Sequence, residues 1–243
     1  MSSFQKIQGA QTNAQHTYSD EEADAFSAYI SNLLSHDPLL KRHLPLQQSN
    51  DIFIKISDGL ILCQLINFAV PDTIDYRAIN KHETLNIYQK TENLNLALSS
   101  AKSIGVQIVN IGAQDVIEGN PILILGLIWQ IIRIQLLSQL TLTEHPELVV
   151  LLQDGEELTT FIKLPPETIL LRWVNYHLNA AKSTRNISNF GSDVSDSEIY
   201  SILLHQLSPG TCKLVTDTEP LKRANQVIKN ATSLSVEPFI KPR

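Results

Sequence analysis

An all-α fold follows from three features of this 243-residue sequence. Apolar residues recur at helical spacing, as in Phe26, Ile30, Leu33 and Leu34. Sustained apolar–polar alternation, the mark of a half-buried strand, is nearly absent, although β-branched residues are present. A run from Pro121 to Leu137, PILILGLIWQIIRIQLL, is interrupted only by Gln130, Arg133 and Gln135. A membrane span needs about 20 apolar residues. This run is shorter and carries a charge, so it reads as the centre of a soluble core.

Composition narrows the function classes. The 43% apolar fraction, with only 9 Gly and 11 Pro, supports a packed core and excludes collagen-like and disordered classes. A net charge of −6 gives no global field for phosphates, which argues against a nucleic-acid partner. Cys63 and Cys212 form no disulfide framework or zinc set, so a reducing compartment is expected. Residues 1–17 are polar and Gln-rich, without a charged-then-apolar signal pattern. They read as a loose tail, and the sequons at Asn186 and Asn230 as chance matches.

The elements follow in order. Ser19 with Glu22 forms a capping box that opens the first helix. Phe26, Ile30, Leu33 and Leu34 form its apolar face, with Tyr29 on the flank, and Glu21, Asp24, Ala28, Asn32 and Ser35 face outward. The next helix runs near Gly59–Phe68 and stops before Pro71. Another covers Glu92–Ile104, with Leu94, Ala97, Leu98 and Ala101 on one face and Gly105 as C-terminal cap. A short turn at Gln114–Glu118 is closed by Gly119. Asn120 as N-cap and Pro121 in the first turn then open the apolar helix. Thr141–Pro165 reads as a linker with two prolines and five acids, and Leu148–Leu152 as a short helix within it.

The second half repeats the first. Leu170–Leu178 matches Phe26–Leu34, Asp196–Pro209 matches Asp58–Pro71, and Leu221–Val236 matches Thr91–Val106. Three helices in the same order indicate an internal repeat. The second copy is expected to lack a counterpart of Pro121–Leu137, which would be the most buried helix of the first. Trp173, Val174, Leu203, Leu204, Val227 and Ile228 would then present apolar faces with nothing to cover them, and the unit would pack loosely.

These residues also carry a family likeness. Asp58-Gly59-Leu60-Ile61-Leu62-Cys63-Gln64-Leu65-Ile66-Asn67 resembles the D-G-x-x-L-C-x-L-I-N helix of a calponin-homology domain. Val70–Asp75 and Arg77–Asn80 resemble a fimbrin (plastin) segment, as do Glu92–Leu98, Asn110–Asp115 and Leu125–Ile132. Leu171–Asn175, and Asn189-Phe190 with Asp193, resemble the second calponin-homology domain of that family. The likeness covers about Tyr18–Pro242. It implies a tandem pair: a tail over 1–17, a complete domain over 18–140, a linker over 141–165 and an incomplete domain over 166–243. Tyr76 departs from the family's usual Glu, which reads as a surface change. Only 17 residues precede the first unit, no calcium-binding D-x-[DN]-x-[DN]-G loop is present, and the chain ends within its first pair. Neither calcium control nor bundling by a single chain is expected.

No nucleophile elbow, phosphate-binding glycine loop or metal-spaced histidine set occurs, so no catalysis, cofactor or metal is expected. His177 reads as a core histidine, and Trp129 and Trp173 as core anchors. Lys41-Arg42-His43 reads either as a solvated loop or as a phosphoinositide contact. Gly126, Gln130, Arg133 and Leu137 share one face of the apolar helix. That stripe is either the solvent edge of a buried helix or a contact surface. The resemblance favours contact, because the family's actin-binding surface includes the last helix of the first domain and the first helix of each domain. Carried over, that surface comprises Glu21, Asp24, Ala28 and Asn32; Gly126, Gln130, Arg133 and Leu137; and Thr168, Arg172 and Tyr176. The resemblance implies filamentous actin as partner, the cytoplasmic actin cytoskeleton as location, and filament bundling for the full-length family. An adaptor or truncated product that keeps the fold without binding actin is the alternative.

Overall fold

The apolar stripes read from the sequence become ten α-helices among the described residues, joined by short 3-10 turns. The structure is a computed structural model and describes residues 5–6, 17–18, 20–48 and 50–236. Gln5–Lys6 (β1) pairs antiparallel with Thr17–Tyr18 (β2). The rest of the expected tail, and Ser19 with its capping box, lie outside the described residues. The chain divides into two compact units, residues 1–136 and 137–243.

The first unit contains α1 (Asp20–Leu33), α2 (Asp51–Lys55), α3 (Leu60–Ala69), α4 (Ile87–Ser103), α5 (Ala113–Ile117) and most of α6 (Pro121–Ser138). Its centre is α3, not α6 as the sequence suggests. Every side chain from Leu60 to Ile66 is buried, whereas α6 buries seven of its 18 residues. By length and mean hydropathy (1.7) α6 could cross a membrane, but it packs as a core helix with Ile124, Leu125, Leu127, Ile128, Ile131 and Ile132 inward. Helix α4 starts five residues before its expected position. Asn86 and Gln89 form a reciprocal capping box, and Ile87 and Tyr88 in that first turn are exposed and give no apolar periodicity. Gly105 ends α4 with φ +104°, where the Val106 N–H bonds back to the Ala101 carbonyl.

The second unit contains α7 (Leu158–Phe161), α8 (Pro166–Ala180), α9 (Glu198–Leu207) and α10 (Pro220–Ser233). The segment read as a linker has its own core. It forms a 3-10 helix (Pro146–Leu151) and α7, and its Leu148, Leu151 and Phe161 are buried together with Ile169 of α8. A second cluster holds Val174, Leu178, Ile187, Val194 and Ile199. Trp173 is partly buried and packs against both clusters.

The internal repeat extends to single hydrogen bonds. In α1, Ser31 Oγ accepts the Leu46 N–H, and its match Asn175 accepts the Ile187 N–H. In α3, Asn67 Nδ2 donates to the Ile74 carbonyl, and its match His205 donates from Nδ1 to the Cys212 carbonyl. Side-chain burial is less equal. Of the six apolar residues expected to lie uncovered, Val174 and Val227 are buried by their neighbours; Trp173, Leu203, Leu204 and Ile228 are half-exposed.

Candidate functional site

Three helix faces carry the residues singled out from the sequence. On α1, the inward residues Ala23, Phe26, Ser27 and Ile30 fix the helix phase. Asp24, Ala28 and Asn32 are therefore exposed, and Glu21 is half-buried. The Tyr29 hydroxyl donates to Gln135 Oε1 at 2.7 Å and ties α1 to α6. Burial raises the Tyr29 pKa, so the phenol keeps the proton it donates.

On α6, Gly126 and Arg133 are exposed, while Gln130 and Leu137 are half-buried. Gln130 Oε1 accepts the Gln107 N–H at 2.9 Å, so this side chain anchors the loop after α4. Trp129 and Leu136 are exposed, at 44% and 45%, which corrects the reading of Trp129 as a core anchor. The Trp129 ring rests on Phe26, with centroids 6.3 Å apart. The outward face is thus Gly126, Trp129, Arg133 and Leu136. It is rotated by about 50° from the stripe expected from polarity, because each residue turns the helix by about 100°. Gln135, one of the three polar residues in the run, is buried against Tyr29.

On α8, Tyr176 is exposed and Thr168 and Arg172 are half-buried. Both guanidinium nitrogens of Arg172 bond the Glu156 carboxylate, at 2.6 and 3.1 Å, in a bidentate pair. Arg172 holds Glu156 below the usual carboxylate range, so the pair is ionised at neutral pH. The guanidinium also lies 5.7 Å from the Phe161 ring centroid. Arg172 thereby fixes α8 to the segment before it. His177 meets the rings of Trp173 and Tyr176 edge-on, at 4.6 and 5.4 Å, and is partly buried. Desolvation lowers its pKa and keeps it neutral.

Among the described residues, no group of three or more His, Cys, Asp or Glu could hold a metal ion. Cys63 and Cys212 are free and buried. Burial and the neighbouring Asp58 push the Cys63 thiol to about 12, so it is no nucleophile. Lys41-Arg42-His43 is not one surface cluster. Lys41 and Arg42 are exposed, whereas His43 is buried and donates from Nε2 to Asp58 Oδ2 at 2.7 Å.

The model of the calponin homology (CH) domain matches residues 26–136 and again residues 164–243. The chain belongs to the fimbrin and plastin branch of the calponin-homology family. It is 48% identical to fimbrin of Dictyostelium discoideum over 237 residues, covering 96% of this chain and 39% of that protein. It is 44% identical to plastin-1 of Homo sapiens over 239 residues, covering 94% of this chain and 38% of that protein. The chain therefore spans well under half the length of the curated relatives it matches. Among solved structures, the actin-crosslinking core of Schizosaccharomyces pombe fimbrin superposes with a TM-score of 0.74 at 43% identity, covering 92% of this chain and 45% of that one. The two matched stretches coincide with the two halves of the internal repeat. Tandem calponin-homology architecture, legible in the motifs, is confirmed.

Proposed function

We propose that this calponin-homology chain binds actin filaments without catalysis, through the outer faces of α1, α6 and α8, in the cytoplasmic actin cytoskeleton. The observation that carries this reading is the family match across both units, 26–136 and 164–243. The solved relative described as an actin-crosslinking core supports it. In this reading residues 18–140 form one domain, 141–165 the connection, and 166–243 the part of a second domain that this sequence covers. The half-exposed Leu203, Leu204 and Ile228 support an open face in the second domain, because their matches Leu65, Ile66 and Leu98 are buried.

The contact residues proposed are Glu21, Asp24, Ala28 and Asn32 on α1 and Gly126, Gln130, Arg133 and Leu137 on α6, and separately Thr168, Arg172 and Tyr176 on α8 of the second unit. Trp129 and Leu136 add exposed apolar area beside Arg133. Aromatic and arginine side chains are the residue types that dominate protein interfaces. Arg133→Glu reverses the charge at the centre of the α6 face. It is expected to weaken cosedimentation with actin filaments by about thirtyfold, the size of an interface hot spot of about 2 kcal/mol, with little change in melting. Unchanged binding with unchanged melting would remove α6 from the surface. One tandem pair supplies one filament surface, and cross-linking needs two. A monomer of this chain is therefore expected to decorate filaments without pelleting them at low speed.

A further inference from the structure

The first unit carries a cleft of about 280 Å³ lined by Pro38, Leu39, Lys41, Arg42, Lys81 and Glu83. Its walls come from two distant stretches of chain. One is the 3-10 turn Pro38–Leu40, capped by Asp37, whose Oδ1 accepts the Leu39 N–H at 2.8 Å. The other is the loop before α4. Arg42 joins them, because its Nη1 donates to the carbonyls of His82 (2.8 Å) and Glu83 (2.6 Å). Its Nη2 lies 3.7 Å from Asp58 Oδ2. The cleft is thus fixed before any ligand arrives. Two carbonyls that would repel an anion are already occupied by Arg42.

The charges at this cleft oppose those of the whole chain. Three cations and one carboxylate line it, and Asp58 stands beside Arg42, which leaves a formal excess of one positive charge on a protein of net charge −6. Lys81 is held in place. Its Nζ donates to the Tyr76 carbonyl at 3.0 Å and sits 3.5 Å from the Tyr76 ring centroid. Two of its three N–H groups remain for another acceptor. Lys41 is exposed on the opposite wall.

We propose that this cleft binds a phosphomonoester on a small polyol, with Lys41 and Lys81 contacting the phosphate and Arg42 holding the two walls. A phosphomonoester carries about −1.5 to −2 charge near pH 7 and three acceptor oxygens, which the two ammonium groups of Lys41 and Lys81 can meet together; a single carboxylate offers less charge and two oxygens. The volume lies just under the ~300–1,000 Å³ of small-molecule sites and suits a phosphorylated ring better than a nucleotide. Pro38 and Leu39 are the apolar lining, and the nearby Tyr76 ring is already covered by Lys81. The same chemistry is offered by a soluble inositol phosphate and by a phosphoinositide headgroup on a membrane surface.

Titration calorimetry with inositol 1,4,5-trisphosphate at low salt, and sedimentation with phosphatidylcholine vesicles containing phosphatidylinositol 4,5-bisphosphate, test the site and separate the two sources. Saturable binding is expected in at least one assay, competed by excess inorganic phosphate. Binding to the soluble probe alone assigns a metabolite, to vesicles alone a lipid, and to both the shared headgroup. Lys41→Ala and Lys81→Ala should each weaken binding about fivefold or more, and Glu83→Gln should tighten it several-fold. Lys229→Ala, the same charge change on an exposed residue of the second unit, should leave binding unchanged. Lys41 is exposed and its side chain bonds nothing among the described residues, so its variant remains informative if Lys81→Ala melts early. No saturable binding in either assay would overturn the proposal, and so would equal losses from Lys41→Ala and Lys229→Ala. Neither outcome bears on filament binding, which is read by actin cosedimentation.

Discussion

Both units place a left-handed residue immediately before their central helix, but they hold that turn with different chemistry. In the first unit the residue is Gly59, with φ +81°, between Asp58 and α3. Asp58 Oδ1 accepts the Leu60 N–H, Asp58 Oδ2 accepts from the buried His43, and the Asp58 carbonyl accepts from Asn93 Nδ2. Asn93 also exchanges two bonds with the Asn80 backbone. In the second unit the matching residue is Ser197, with φ +63°. Asp196 Oδ1 accepts the Glu198 N–H, Asp196 Oδ2 accepts from Arg185, and the Asp196 carbonyl accepts from Arg223, the match of Asn93. Arg185 also bonds Glu198 and the Asp193 carbonyl.

The difference follows from what surrounds each turn. The first is buried under α4, so the small Asn93 amide fits against the Asp58 carbonyl, Arg42 approaches Asp58 Oδ2 only to 3.7 Å, and a side chain at Gly59 does not fit. The second is partly open to solvent, so long charged side chains can reach across and keep their heads hydrated. The charged brace contributes less per bond, because solvent screens exposed ion pairs. The second unit therefore combines a weaker turn with less complete burial of its helix faces.

The largest consequence is expected in hydrogen exchange. Leu203, Leu204 and Ile228 are half-exposed where Leu65, Ile66 and Leu98 are buried. Burying such a side chain fully is worth about 1.5–3 kcal/mol, so half-burial forfeits about 1 kcal/mol each. Three of them lower the opening free energy by about 3 kcal/mol, or roughly 100-fold in protection. Amides of α8–α10 should exchange about that much faster than those of α3 and α4. Equal protection in a monomer would mean that the half-exposed faces of α9 and α10 cost the second unit little.

Next is a substitution at the tighter turn. An added Cβ at Gly59 would stand 2.8 Å from Asn93 Cβ and 3.0 Å from the α4 backbone, which cannot yield as a flexible side chain would. Left-handed backbone costs an L-residue about 1–2 kcal/mol, and overpacking about 1–3 kcal/mol more. Gly59→Ala should therefore destabilise the first unit by about 2–5 kcal/mol, read in denaturant titration of a Trp173→Phe background by Trp129 fluorescence. A loss below 1 kcal/mol would show that α3 and α4 are not clamped at this point.

Much of this was legible in the residues. The D-G-x-x-L-C motif, the helical stripes and the ordered repeat gave the fold class, the two units and the family. The helix start at Pro121 was marked by Asn120 and by proline itself. What periodicity alone could not supply was the depth of each face. It ranked α6 above α3 in burial because α6 is longer and more uniformly apolar. It placed Trp129 inside because the ring is apolar, although helix phase sets it beside Arg133 on the open face. The Arg172–Glu156 pair was beyond reach, since it depends on how the connecting segment folds back onto α8. The capping box at Asn86 and Gln89 was available in the sequence, but Ile87 and Tyr88 hid it by facing outward.

The smallest effect tests the looser turn from the opposite direction. Ser197 adopts a left-handed conformation without the short side-chain bond that sometimes supports Asn or Asp there. Glycine removes the Cβ conflict, worth about 1–2 kcal/mol, but adds freedom to the unfolded chain, which costs about 0.5–1 kcal/mol. Ser197→Gly should thus stabilise the second unit by about 0.5–1 kcal/mol, read as slower exchange of the α9 amides with the first unit unchanged. Combined with Gly59→Ala, the two changes should act independently, one in each unit and of opposite sign. A destabilising Ser197→Gly would show that the serine hydroxyl contributes to the turn, and that the second unit holds its central helix by more than the arginine brace.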